Sequence, residues 1–176
     1  MNNQNISTLD YQTQSPNSSK ITLLVFSIDK LTLAIPVEQI QKVTKYTTLY
    51  GSGQSYVNLT HIGEQQITIV DLYQKLFKIK YDELYPDGGY FILTKPRPIT
   101  VIKEGKKTNH NFMKETLGIR AVEAPLLIDV PISEIRILPN SYRYSDTLEI
   151  ASHVAITSQE NQKTQTIFIL DLERLI

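Results

Sequence analysis

The side chains best suited to chemistry are few in this chain and lie far apart. Its three histidines are His61, His110 and His153, and it has no cysteine, so disulfides, thiolate metal sites and thiol nucleophiles are excluded. No histidine has a second one within metal-ligand spacing. The chain lacks G-x-S-x-G, the phosphate-binding G-x-x-x-x-G-K-[ST] and H-E-x-x-H. Gly51-Ser52-Gly53 is its one G-x-G; it precedes a strand-like run with no third glycine in register, so it reads as a turn. His61, two residues before Gly63, reads as a loop histidine at a strand end. Asp71 and Asp171 each follow an apolar run and precede leucines at helical spacing, where a carboxylate accepts the free N–H groups of a helix start. Capping, rather than catalysis, is the expectation for both.

Charge removes further classes. Eighteen basic and eighteen acidic residues cancel to a formal net charge of zero, which disfavours phosphate backbones and anionic lipid as partners. Lys103, Lys106 and Lys107 form the densest basic patch, and Glu104 and Gly105 between them suggest a solvated hairpin tip. Tyr46, Tyr50, Tyr56 and Tyr73 lack the surrounding positive charge of a single-strand stacking platform, so core-edge or protein-contact roles fit them better. No apolar run reaches the roughly 18 residues of a membrane-spanning helix. Residues 1–20 lack the basic start and apolar stretch of a secretory signal and read as a disordered cytoplasmic tail. The N-x-S/T triplets at Asn5, Asn17 and Asn58 therefore carry no expectation of glycosylation.

The elements that would position these residues are strands. Among 176 residues there are only five alanines against 22 isoleucines, 17 threonines and 10 tyrosines, a balance that favours sheets over helices. Strand-length apolar runs occur at 21–28, 31–35, 67–70, 90–93, 99–102, 126–130 and 167–170. Turn signals separate them at 29–30, 51–53, 63, 86–89 and 160–162. Residues 103–114 are polar enough for a loop, running into a helical turn around 112–117. Two segments echo each other. Leu33-Ala34-Ile35-Pro36-Val37-Glu38-Gln39-Ile40 precedes Ile69-Val70-Asp71-Leu72, and Leu127-Ile128-Asp129-Val130-Pro131-Ile132-Ser133-Glu134-Ile135 precedes Ile169-Leu170-Asp171-Leu172. The echo suggests two β subdomains, about 21–85 and 86–176, with strand exchange between them left open.

Four stretches in order resemble a known family. Phe26-Ser27-Ile28 with Leu33-Ala34-Ile35-Pro36-Val37, then Ile69-Val70-Asp71-Leu72, then Ala121-Val122-Glu123 through Ile132-Ser133-Glu134-Ile135-Arg136-Ile137-Leu138-Pro139, and finally Leu170-Asp171-Leu172-Glu173-Arg174-Leu175 are similar to the motifs of the CheW-like domain. The resemblance covers residues 21–176. It implies a mainly β fold, two five-stranded SH3-like barrels packed together, with short helices after Asp71 and Asp171. It also implies a non-enzymatic adaptor without cofactor or metal, whose partners are the regulatory domain of a CheA-type histidine kinase and the cytoplasmic tip of a chemoreceptor.

The departures from the family pattern fall on the expected docking residues. Lys42, within Ile40-Gln41-Lys42-Val43, stands where the family carries an acid, and Ile62, within Asn58-Leu59-Thr60-His61-Ile62-Gly63, stands where it carries an arginine. Thr68 replaces a proline, and Ser152-His153 falls where a glycine is common. Ile40, Lys42, Val43, His61, Ile62 and Gly63 are accordingly the expected partner-binding residues. For Ile40 and Val43, burial in a barrel core fits the pattern equally well. The rival reading is a small-molecule sensor or binding module with a changed partner, using a cleft between the barrels with His61, Asp71 and His153 as its polar groups. Unpaired strand edges could also join two copies of the chain, so the sequence leaves the oligomeric state open.

Overall fold

The computed structural model describes residues 19–79, 88–103, 106–139, 141, 148–158 and 164–176. Fourteen strands occur among them: β1 (Lys20–Ile28), β2 (Leu31–Pro36), β3 (Ile40–Lys45), β4 (Tyr50–Gln54), β5 (Val57–Ile62), β6 (Gln65–Val70), β7 (Tyr90–Thr94), β8 (Arg97–Lys103), β9 (Lys106–Glu115), β10 (Leu117–Ala121), β11 (Leu126–Pro131), β12 (Ile135–Ile137), β13 (Ala151–Ser158) and β14 (Thr164–Leu170). One short α-helix, α1 (Leu72–Phe77), follows β6, and single 3-10 turns follow β2, β11 and β14. The mainly β reading holds.

Two six-stranded sheets carry the fold, in the orders β11-β1-β2-β14-β13-β12 and β3-β7-β10-β6-β5-β4, and β8 with β9 forms a separate hairpin. In the first sheet the two edge strands, β11 and β12, are joined by only three residues, 132–134. Three residues span at most about 10 Å, so the edges must approach and the sheet must curl. In the second sheet residues 46–49 join edge strands β3 and β4 and impose the same curl. The two strand orders match when β3, β4, β5, β6, β7 and β10 are set against β11, β12, β13, β14, β1 and β2. Both sheets contain one parallel pair at the equivalent place, β10 with β6 and β2 with β14.

Each strand count is six where the resemblance implies five. The additional strand in each sheet is the one that has just crossed from the other: β3 follows β2 through a three-residue turn, and β11 follows β10. Sheet membership also crosses the expected boundary near residue 85, since β1 and β2 join β11–β14, whereas β7 and β10 join β3–β6. The sequence echo is correspondingly only half structural. Asp71 after β6 and Asp171 after β14 are equivalent by strand order. The segments 33–40 and 127–135 share a local form, in which Pro36 and Pro131 enter 3-10 turns with φ −54° and −58°. One of those turns passes between the sheets, while the other closes a sheet on itself.

Three apolar clusters follow from strand alternation. Along β1, Leu23 faces a cluster inside the first sheet with Ala34, Val130, Ala155, Ile167 and Ile169. Its neighbours Leu24, Phe26 and Ile28 face the layer between the sheets, with Leu33, Ile35, Val70, Ile92, Leu117 and Ile119. Inside the second sheet lie Ile67, Ile69, Phe91 and Leu93. Fully burying one such side chain stabilises by roughly 1.5–3 kcal/mol, so the shared layer binds the sheets into one unit. Because these central strands are buried on both faces, they appear in sequence as continuous apolar runs.

Three local expectations are corrected. Residues 106–115 form strand β9, and β10 begins at Leu117, in place of the expected loop and helical turn; the β8 pairing holds at Arg97↔Glu115 and Pro98↔Lys114 and resumes at Ile99↔His110 after a register shift. The hairpin connection between Lys103 and Lys106 agrees with the expected tip. Gly51-Ser52-Gly53 lies within β4 at a register shift, with Gly53 at φ +87°, and the turn itself falls at residues 55–56. After Asp171 the expected helix is a single 3-10 turn, Leu172–Arg174. The turn expected at 160–162, most of residues 1–20 and most of the 85–89 boundary lie outside the described residues.

Candidate functional site

The six expected docking residues divide between two places on the second sheet. Ile40, Lys42 and Val43 belong to β3, an edge strand paired only with β7. A register shift between Ile40 and Lys42 breaks the pairing there. Ile40 is half-buried and packs against the layer between the sheets. Lys42 is exposed, and Val43 is 38% exposed, which places both at the surface. With Lys45 also exposed, β3 presents two cations and no acid.

His61, Ile62 and Gly63 lie at the turn from β5 to β6. Gly63 takes φ +64°, which favours glycine. Ile62 is half-buried because it caps the cluster of Ile67, Ile69, Phe91 and Leu93. His61 is exposed, and the Tyr50 ring meets its imidazole edge-on at 6.4 Å between centroids. Tyr50 is itself 57% exposed, a contact-forming aromatic beside the expected residues.

One apolar cluster lies behind both places. Lys42 and Thr44 are register partners of Leu93 and Phe91, whose side chains form the cluster under Ile62. The segment after β3 is tied to β5 by Thr60. Its hydroxyl donates to the Thr48 carbonyl at 2.8 Å and is 3.0 Å from the Thr47 hydroxyl. Arg120, only 1% exposed, lies over the Tyr46 ring at 4.4 Å. Its Nε and Nη2 donate to the Gly88 carbonyl at 3.4 and 3.3 Å. A buried arginine on β10 was not expected from the sequence, because nothing in Leu117-Gly118-Ile119-Arg120-Ala121 distinguishes an inward cation from an outward one.

The polar groups of the rival reading do not converge. Asp71 is 5% exposed and caps α1, its Oδ1 accepting the Gln74 N–H at 3.0 Å. The capping expectation for Asp71 is met. Asp171 does the same for its 3-10 turn, accepting the Glu173 N–H at 3.2 Å, and pairs with Arg174 at 3.1 Å. His153 Nδ1 lies 2.8 Å from the Ser152 hydroxyl on β13. Among the described residues no group of three or more His, Asp or Glu side chains could hold a metal ion. A cleft of about 520 Å³ does open, but Glu38, Arg97, Ser152 and the turn after β14 line it, without His61 or Asp71.

Strand order, curl and the shared apolar layer together match a known architecture. The chain superimposes on the crystal structure of the scaffolding protein TtCheW from Thermoanaerobacter tengcongensis with a TM-score of 0.63, covering 92% of this chain and 90% of that one at 13% identity. The fold is that of CheW. No protein-family model matches the chain, and no curated protein matches it in sequence. The CheW-like pair of SH3-like β subdomains thus corresponds to the two curled sheets. None of the helices among the described residues is long and apolar enough to cross a membrane.

Proposed function

We propose that this chain is a cytoplasmic, non-enzymatic signalling adaptor that couples chemoreceptors to a CheA-type histidine kinase. The observation that carries the reading is the CheW-like fold over nearly the whole chain. The scattered histidines and the use of Asp71 and Asp171 as caps are in keeping with it. In this role the chain works by holding receptor and kinase in fixed relative geometry, so that a receptor's conformational shift changes the population of active kinase. Lys42, Val43, His61 and Gly63 form the exposed part of the docking surface, and Ile40 and Ile62 anchor it from beneath. Lys42 and Lys45 on an edge strand without acids select an acidic partner surface, since complementary charge governs partner choice more than raw affinity.

The test is a calorimetric titration of the full chain against the regulatory domain of the CheA-type kinase from its own cell, and separately against the receptor tip. Micromolar binding with a negative heat-capacity change is expected, the mark of apolar burial. Lys42→Glu should weaken it by about tenfold, equivalent to about 1.4 kcal/mol. Binding unaltered by both Lys42→Glu and Ile62→Arg would remove these residues from the interface.

A further inference from the structure

β3, the strand that carries Lys42 and Val43, is weakly held for a docking element. Among the described residues it pairs only with β7, a register shift interrupts that pairing between Ile40 and Lys42, and four of its six residues are exposed. Few buried contacts and a ladder on one side alone are the marks of a segment that opens locally. Its far end is fixed differently. Tyr46, the residue after β3, donates its N–H to the Gly89 carbonyl at 3.0 Å, and its half-buried ring tilts against Phe91 at 5.4 Å between centroids.

That ring is held from β10. Arg120 is the register partner of Phe91 on this central strand, and at 1% exposure its position is set by the interior. Its guanidinium lies over the Tyr46 ring at 4.4 Å, and its Nε and Nη2 donate to the Gly88 carbonyl at 3.4 and 3.3 Å. Gly88 closes the arrangement. It takes φ +111°, and a Cβ there would lie 2.9 Å from Tyr46 Cβ, so the position needs glycine both for conformation and for room. Burying a cation is costly, and a desolvated cation over an aromatic face is the setting in which that contact is strongest. Tyr46 thus sits among Phe91, Arg120 and Gly88, which belong to the interior or to the segment entering β7.

We propose that Arg120 is a positioning residue for docking. Acting through the Tyr46 ring, it fixes the C-terminal end of β3 and so presents Lys42 and Val43 in one geometry before a partner arrives. Ordering a segment on association costs affinity, and a segment ordered in advance avoids that cost. Arg120 itself touches no partner, because it is buried. The consequence for binding rests on the adaptor reading above, while the clamp on β3 is a property of the free chain.

The experiment combines amide hydrogen exchange of the free full chain with titration of the kinase regulatory domain, for wild type, Tyr46→Leu, Tyr46→Phe and Arg120→Met. Tyr46→Leu and Arg120→Met should each speed exchange of the β3 amides that pair with β7 by about tenfold and weaken kinase binding by about tenfold. Tyr46→Phe keeps the ring face and should match wild type in both. Ile167→Ala, which opens a cavity inside the first sheet, controls for general loss of stability and should leave kinase affinity unchanged. The proposal is overturned if Tyr46→Leu leaves either β3 exchange or kinase affinity at the wild-type value, or if Ile167→Ala weakens binding as much as Tyr46→Leu does. Should Arg120→Met fail to fold, the Tyr46 pair gives the answer alone. A wild-type chain that does not bind the kinase sinks the adaptor reading instead, and the exchange rates then decide the clamp by themselves.

Discussion

Asp71 and Gly118 show what individual side chains contribute and how differently sequence reveals them. Asp71 was readable because a cap is a local device: an acidic residue, then leucines at helical spacing. Asp71→Ala should lower stability by about 1 kcal/mol in urea unfolding, with Asp71→Asn close to wild type. Asp171→Ala should cost less, since its side chain is 29% exposed and caps only a 3-10 turn. Equal losses at the two positions would contradict the burial argument. Gly118 was not readable, because its constraint comes from residues distant in sequence. A Cβ there would overlap Ile69 Cδ1 and lie 3.0 Å from Leu93 Cδ2. Gly118→Ala should therefore destabilise by about 1–3 kcal/mol. Adding Ile69→Val, which removes the clashing methyl, should recover part of that loss; a double variant no more stable than Gly118→Ala would place the strain elsewhere.

At the level of elements, legibility follows apolar content, which usually but not always means burial: the 126–130 run was visible as β11 although Leu126 and Leu127 are 69% and 61% exposed. The apolar runs of β1, β2, β6, β7 and β14 were visible because these strands bury residues on both faces. β3 escaped because its Lys42, Val43 and Lys45 face solvent, and β10 because Gly118 and Arg120 interrupt its apolar pattern while remaining inside. The same contrast divides the expected docking residues: Lys42 and Val43 are exposed, whereas Ile40 is half-buried against the layer between the sheets. Arg120 and Tyr46 also link elements, joining β10 to the segment after β3. A desolvated cation over an aromatic face is worth about 2 kcal/mol. Tyr46→Leu should lower unfolding stability by about that amount, and Tyr46→Phe by much less. A Leu variant as stable as the Phe variant would mean that the ring face contributes nothing to holding Arg120.

For the molecule as a whole, the consequence of the strand order is that neither half of the chain is self-sufficient. The first sheet takes β1 and β2 from the N-terminal half and four strands from the C-terminal half, and the layer between the sheets draws on both. Fragments 1–85 and 86–176 should each lack a cooperative thermal transition by circular dichroism, while the full chain shows one. A fragment that melts cooperatively by itself would refute the shared core. Sequence alone pointed to two related β units. It could not assign strands to sheets, because the matching Pro-containing turns at 36 and 131 have the same local chemistry and different long-range partners. The central claim, adaptor function, is tested most directly by sedimenting receptor-bearing membranes with the CheA-type kinase in the presence and absence of this chain. The kinase should enter the pellet only when the chain is present, and much less of it with Lys42→Glu. Kinase that pellets equally with and without the chain, or stays in solution in both cases, would contradict the account.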